Sequence, residues 1–260
     1  MTYALITGAS KGIGKAMAFE LAARKYNVLL VSRSENLLSD VREEIRGKYS
    51  VSVDIFPIDL SQADSAVKVR EWCVSKNYNV SILVNNAGYG LWGNFENISL
   101  DDQMNMMSLN MQSLVRLSYE MLPLLRKNSS AYLLNVASTA AYQAVATLSI
   151  YAATKSFVLL FTRGLRRELF ETTVSVSCVS PGATSTEFMN RAGMGDQLKE
   201  KAKKFEMKPD DVAKIAVRGM FARKAEIIPG VTNYFAAKLA SLVPKGLTET
   251  IAANIYKTKK

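Results

Sequence analysis

The stretch Thr7-Gly8-Ala9-Ser10-Lys11-Gly12-Ile13-Gly14 constrains this chain more than any other. It follows a β-prone apolar run from Thr2 to Ile6 and precedes Lys15 to Arg24, where Met17 and Leu21 fall at helical spacing. Strand, glycine turn and helix in that order form the context that a dinucleotide-phosphate site requires. Glycine lets backbone come close to a pyrophosphate, and the helix N-terminus offers unpaired N–H groups to the anion. The spacing is Gly-x3-Gly-x-Gly rather than Gly-x-Gly-x2-Gly. Without its flanking strand and helix, such a loop is equally a tight turn.

A second constellation lies past the middle of the chain. Tyr151 and Lys155 stand four apart at the start of a helical pattern, and Ser138 ends the apolar run Ala131 to Ala137. Positions four apart share a helix face, so a phenol and an ammonium meet at one place. The ammonium favours the phenolate and draws a tyrosine toward the working range of an acid or base. A serine hydroxyl beside them suits a substrate oxygen.

Between and beyond these motifs the chain alternates. β-like runs near residues 2–6, 27–32, 51–57, 80–84, 131–137 and 174–179 are separated by amphipathic helical patterns, with a last short strand near Glu226 to Ile228. Parallel strands need crossover helices, so the fold class is α/β. The chain is expected to form a single doubly wound Rossmann domain over 1–260, a parallel sheet with helices on both faces. Pro123, inside the helical run Asp101 to Lys127, is expected to kink or end that helix.

These motifs, taken in order, resemble the short-chain dehydrogenase/reductase family over nearly the whole chain. Asn85-Asn86-Ala87-Gly88 after the fourth strand, Asp59 after the third, and Pro181-Gly182 with Thr186 after the sixth match that family's pattern. The resemblance implies a catalytic set of Asn110, Ser138, Tyr151 and Lys155. Tyr151 would act as acid/base, Lys155 would lower its pKa and hold the nicotinamide ribose, Ser138 would hold the substrate oxygen, and Asn110 would anchor a proton-relay water. It also implies cofactor contacts from Gly8, Ser10, Lys11, Gly12, Ile13, Gly14, Ser32, Arg33, Asp59, Leu60, Asn86, Ala87, Gly88, Tyr151, Lys155, Pro181, Gly182, Thr184 and Thr186. Where an NAD-preferring relative has a carboxylate after the second strand, this chain has Ser32 and Arg33. A guanidinium binds a 2′-phosphate that a carboxylate would repel, and Lys11 adds a second cation. NADP(H) is therefore expected in preference to NAD(H), the alternative being that both cations are solvated surface charges.

Composition excludes other chemistries. The 260 residues include no histidine, which removes Ser-His-Asp hydrolysis and histidine-based metal sites, and the two cysteines, Cys73 and Cys178, cannot make a four-cysteine zinc site. No metal is expected, and both thiols read as small buried apolar groups. The first strand begins too early to leave room for a targeting segment, and no apolar run reaches a membrane span, so a cytoplasmic location is expected. The net charge of +10 comes with lysines interleaved with acids and without base-stacking aromatics, which speaks against nucleic acid.

The substrate is expected to be a small carbonyl or alcohol. Leu91, Trp92, Phe95, Tyr142, Phe188, Met189 and Met194 are the candidate pocket lining, an apolar set that suits a hydrophobic ketone or 3-oxoacyl group. Residues 183–208 read as a mobile lid. The basic tail 231–260 packs on its own domain or a partner subunit, or else touches an anionic membrane surface. Met104, Met107 and Met111, with Phe157, Leu160 and Phe161, are either core or the interface of a homodimer or homotetramer. Two other readings are a catalytically silent NADP-binding regulatory or scaffold protein and a dehydratase or epimerase on the same fold.

Overall fold

The computed structural model describes residues 2–203 and 205–256. Seven parallel strands, β1 (Tyr3–Thr7), β2 (Asn27–Ser32), β3 (Val53–Pro57), β4 (Val80–Asn85), β5 (Ala131–Val136), β6 (Val174–Val179) and β7 (Glu226–Ile227), form one sheet in the order β3-β2-β1-β4-β5-β6-β7. Their alternate side chains enter different cores. Ala4, Ile6, Val28, Leu30, Ile82 and Val84 face one side, while Leu5, Leu29, Val31 and Leu83 face the other. Both faces are buried, so the strands read as continuous apolar runs rather than alternating ones.

Helices α1 (Gly12–Ala23) and α2 (Glu35–Lys48) contribute to the first core, and α3 (Ser65–Ser75) to the second. The long helical run after β4 is divided. α4 (Leu100–Met107) is capped by the Ser99 hydroxyl, a π turn covers Ser108–Gln112, and α5 (Ser113–Leu125) follows. The run is also irregular earlier than Pro123, around Asn110, which the sequence does not suggest. Pro123 sits in the last turn of α5, which ends two residues later at Leu125.

α6 (Ser149–Glu168) and α7 (Phe188–Arg191) come next, followed by α8 (Asp196–Lys203) and α9 (Pro209–Phe221). α9 starts with a proline and two acids, as a helix N-terminus favours, and it packs along α1 in the first core. α10 (Val231–Leu242) and α11 (Lys245–Tyr256) complete the described chain. α10 turns Ala237 inward and leaves Val231, Phe235 and Leu242 exposed. The terminal lysines 257–260 lie outside the described residues. Met104, Phe157 and Leu160 are exposed, so they are not core. No helix among the described residues is long and apolar enough to cross a membrane.

The strand order reverses between β1 and β4, and at such a point an open parallel sheet leaves a crevice beyond its strand ends. The glycine loop follows β1 and Asn86 to Gly88 follow β4, so both sequence motifs arrive at that crevice. Just beneath it runs a buried polar ladder. The Asn85 amide donates to Ser118 Oγ (3.1 Å) and to Asn135 Oδ1 (2.9 Å), and the Asn135 amide donates to Thr162 Oγ1 (3.0 Å). It ties α5, β4, β5 and α6 together through groups fully removed from water. Asn135→Ala should cost about 2–4 kcal/mol, because it leaves both Asn85 and Thr162 short of a partner. Urea unfolding checks this against the exposed Asn94→Ala, which should change stability by no more than about 0.5 kcal/mol.

Candidate active site

The crevice is built by a clamp between two strand ends. Thr7 Oγ1 donates to the Val84 carbonyl (3.2 Å) and accepts from the N–H groups of Asn86 (2.9 Å) and Ala87 (3.0 Å). The Asn86 amide in turn donates to the carbonyls of Thr7 (2.9 Å) and Gly8 (3.2 Å). Gly14 must be glycine here, since a Cβ would stand 2.3 Å from the Gly8 oxygen and 2.4 Å from Asn86 Nδ2. Gly8 and Gly12 both adopt positive φ, +64° and +56°, which glycine does without strain. Lys11 precedes α1 in extended conformation and no side chain caps the helix, as a helix N-terminus suited to an anion requires. Ser10 and Ile13 are partly buried in the same loop.

At the end of β2, the Ser32 hydroxyl is buried without a hydrogen-bond partner. Arg33 Nη1 lies 3.8 Å from Asp59 Oδ2, a loose and exposed pairing. Leu60 beside Asp59 is buried in the core. An uncapped helix N-terminus, an unpartnered hydroxyl and a guanidinium held only by a loose, exposed ion pair fit the phosphates and ribose of a dinucleotide.

Tyr151 and Lys155 are buried on the same side of α6, with Lys155 Nζ 5.8 Å from the Tyr151 ring centre. The Lys155 ammonium donates to the Val136 carbonyl (2.9 Å), which pins α6 to the end of β5. The Ser156 hydroxyl donates to the Ala141 carbonyl (2.7 Å) and holds the turn that Ser138 starts. Ser138 Oγ accepts from the Ala140 N–H (3.1 Å). Asn110, in the π turn, accepts from the Tyr89 N–H (3.1 Å) and donates to the Tyr89 carbonyl (2.9 Å) and Thr154 Oγ1 (3.1 Å). Gly88 lies between them: a Cβ there would meet Asn110 Oδ1 at 2.8 Å and Lys155 Nζ at 3.5 Å. Asn110, Gly88, Tyr151 and Lys155 thus form one contiguous cluster.

The segment after β6 crosses these elements in turn. The Pro181 carbonyl accepts from the Thr139 N–H (2.9 Å), Gly182 backs onto Asn233, and Thr184 Oγ1 donates to the Gly182 carbonyl (3.0 Å). Thr186 brings its methyl against Gly12, 3.0 Å from where a Cβ would be, and Phe188 packs on Gly90 and on Tyr151, with ring centres 5.2 Å apart. Met189 and Met194 join Leu91, Trp92 and Phe188 in the core cluster that contains Tyr151. Phe95 lines a small cavity with Leu91 and Ile150 while remaining 61% exposed. Tyr142 lies elsewhere: its hydroxyl donates to Glu226 Oε1 (2.8 Å) beside Ser180, away from that cluster. A buried phenol takes the acceptor within reach, which the local sequence around Tyr142 does not reveal. Thr7 opens the glycine motif, but nothing local to it marks it as the clamp it is. Thr154 and Arg191 shape the site without having been singled out, and of these only Thr154, three residues after Tyr151 on α6, carried a helical-spacing signal.

Burial pulls the Lys155 ammonium from 10.5 down to about 8, with the Cys178 side chain acting weakly the other way. Between about pH 8 and 10.5 the folded chain therefore binds fewer protons at this residue than the unfolded chain. Its contribution to stability rises with pH across that window. Lys155→Met removes this dependence, so its stability relative to the parent should be greatest below pH 8 and should shrink as pH rises toward 10.5. Urea midpoints at half-unit pH steps measure the difference; parallel curves would contradict it.

A family model described as short chain dehydrogenase matches residues 2–197. An NADP-dependent 3-hydroxy acid dehydrogenase of Schizosaccharomyces pombe is 32% identical over 229 residues, covering 86% of this chain and 88% of that protein. The very-long-chain 3-oxoacyl-CoA reductase-B of Danio rerio is 33% identical over 189 residues, 71% of this chain and 60% of its own length. Among solved structures, a short-chain dehydrogenase from Sphingobium yanoikuyae in complex with NADPH superposes with a TM-score of 0.82 at 28% identity, covering 100% of this chain and 98% of that one. Motif order, sheet topology and these matches agree: the chain belongs to the short-chain dehydrogenase family of oxidoreductases.

Proposed function

We propose that this protein is an NADP(H)-dependent oxidoreductase that interconverts a hydrophobic carbonyl, of ketone or 3-oxoacyl type, and its alcohol. One observation carries the reading: the buried Tyr151 ring lies 5.8 Å from the Lys155 ammonium and 5.2 Å from the apolar Phe188 ring, with Gly90 against both rings. The relatives named for a 3-hydroxy acid and a 3-oxoacyl-CoA support an oxygen at the third carbon of an acyl chain. NADP in the name of the first, and NADPH in the matched structure, support the cofactor that Arg33 favours.

A bound nicotinamide supplies the hydride. In the reducing direction Tyr151 gives its phenolic proton to the oxygen that becomes the alkoxide. The Lys155 ammonium stabilises the phenolate left behind and binds the ribose beside it. Ser138, at the end of β5, donates to the same substrate oxygen. The π turn at Asn110 interrupts the helical ladder next to Lys155, and a water held there returns protons from solvent. Leu91, Trp92, Met189 and Met194 receive the acyl chain and keep water from the transferring proton.

NADPH oxidation over long-chain 3-oxoacyl thioesters, ketones and aldehydes tests the reading beside Tyr151→Phe. The variant should lose about 10²–10⁴-fold in turnover, the usual worth of a positioned acid. Its NADPH affinity should fall by no more than about tenfold, because the substitution removes a single hydroxyl and leaves the glycine loop, Arg33 and Lys155 in place. Turnover that survives the substitution contradicts the assignment of Tyr151.

A further inference from the structure

α10 reverses the usual pattern of a surface helix. Toward the protein it turns small and polar groups: Ala237 is buried, and Asn233 donates to the Pro229 carbonyl (2.8 Å) with its amide against Gly182. Toward solvent it turns large apolar ones. Val231, Phe235, Leu239 and Leu242 are 61% to 84% exposed, and Tyr234 beside them is 45% exposed. At about 100° per residue these five fall within roughly 140° of the helix circumference, so they form one stripe. Leu247, in the first turn of α11, is also exposed. Single exposed apolar residues are ordinary on a protein surface, whereas a contiguous stripe marks a contact.

The charges around the stripe are almost all of one sign. Residues 231–260 include five lysines, at 238, 245, 257, 259 and 260, and one acid, Glu249. Lys257, Lys259 and Lys260 lie outside the described residues. Lys245 and Glu249 are both exposed on α11. Lys238 lies in the arc of the stripe, its ammonium 5.6 Å from the centre of the Tyr234 ring and 3.9 Å from Glu226 Oε1. That carboxylate already accepts from Arg163 Nη1 (2.8 Å) and from the Tyr142 hydroxyl (2.8 Å), so Lys238 is only loosely paired.

Charge decides between two occupants. A second copy of the chain, meeting this face across a two-fold axis, would lay the stripe on itself. Lysines would then gather from both copies with only one acid from each. An anionic lipid surface takes the same groups without conflict. The apolar side chains enter the acyl boundary, Tyr234 sits at the level of the headgroups, and the lysines extend to the phosphates. We propose that α10, with the basic residues that follow it, docks this protein peripherally on an anionic bilayer. α10 packs on the turn Thr139–Tyr142 that Ser138 starts, and its Asn233 backs Gly182, so the docked helix sets the crevice beside the lipid. On the substrate reading above, a hydrophobic carbonyl held in the bilayer then reaches the site without crossing water.

Co-sedimentation of the purified protein with vesicles tests this without any turnover, so its result is separate from that of the substrate reading. At low salt the protein should sediment with phosphatidylglycerol vesicles far more than with phosphatidylcholine vesicles, and added salt should release it. Phe235→Gln combined with Leu242→Gln should weaken the binding about 10- to 100-fold, because two large apolar side chains no longer leave water. Lys245→Gln should weaken it about fivefold. All three side chains are exposed, so both variants should keep the urea midpoint of the parent, which shows that they are folded. Failure to sediment with phosphatidylglycerol would overturn the proposal. A double variant that binds as tightly as the parent would overturn it too, since the net charge of +10 alone would then attract the vesicle. An oligomer that the double variant dissociates, seen by light scattering on a parent that does not bind vesicles, would overturn it in favour of a second copy.

Discussion

The Thr7 hydroxyl and the Asn86 amide join the ends of β1 and β4, and most of the site depends on that junction. One hydroxyl satisfies a carbonyl of β4 and two N–H groups of the following turn, while one amide spans two carbonyls of the glycine loop. The two strands are paired, but the helices that follow them pack on opposite faces of the sheet, so without the clamp the two loops would be free to separate. With it, Gly14 is forced against Gly8 and Asn86 at distances that admit no side chain. The start of α1 is thereby fixed at the crevice.

The Tyr151–Lys155 side of the crevice is assembled by a second set of constraints. Lys155 reaches back to the β5 carbonyl of Val136, and Asn110 links the turn after β4 to α6 through Thr154. Burying an ammonium with a single carbonyl partner is costly, which is why its pKa falls to about 8. Perturbed groups of this kind concentrate where chemistry needs them. The ladder through Asn85, Asn135 and Thr162 fixes the spacing of the helices that carry these residues. The stretch from Thr186 to Arg191 then touches the glycine loop, Tyr151 and Tyr89 in succession.

Much of this was legible in the sequence because it is local. Strand runs buried on both faces are continuous and apolar, so all seven strands were found with small boundary errors. The glycine loop, the Asn86 turn and the Tyr151–Lys155 pair are short motifs whose spacing is their geometry. What could not be read depends on distant partners. Nothing near Pro123 shows that the helical irregularity belongs at Asn110, because the π turn lets Asn110 meet Tyr89 and Thr154. Tyr142 looks like pocket lining until Glu226, far along the chain, is seen to accept its hydroxyl. Arg191 reads as one more surface cation until α7 brings it over Tyr89.

Deuterium transfer tests the central claim most directly. The protein would be given a long-chain 3-oxoacyl thioester with NADPH labelled at C4, in separate (4R)- and (4S)-deuterated preparations, and the product examined by mass spectrometry. One preparation should deliver its deuterium to the carbinol carbon of a 3-hydroxyacyl product, and the other should deliver none. NADPH that binds but passes deuterium to no carbonyl in the panel from either face would contradict an oxidoreductase acting through Tyr151 on such substrates.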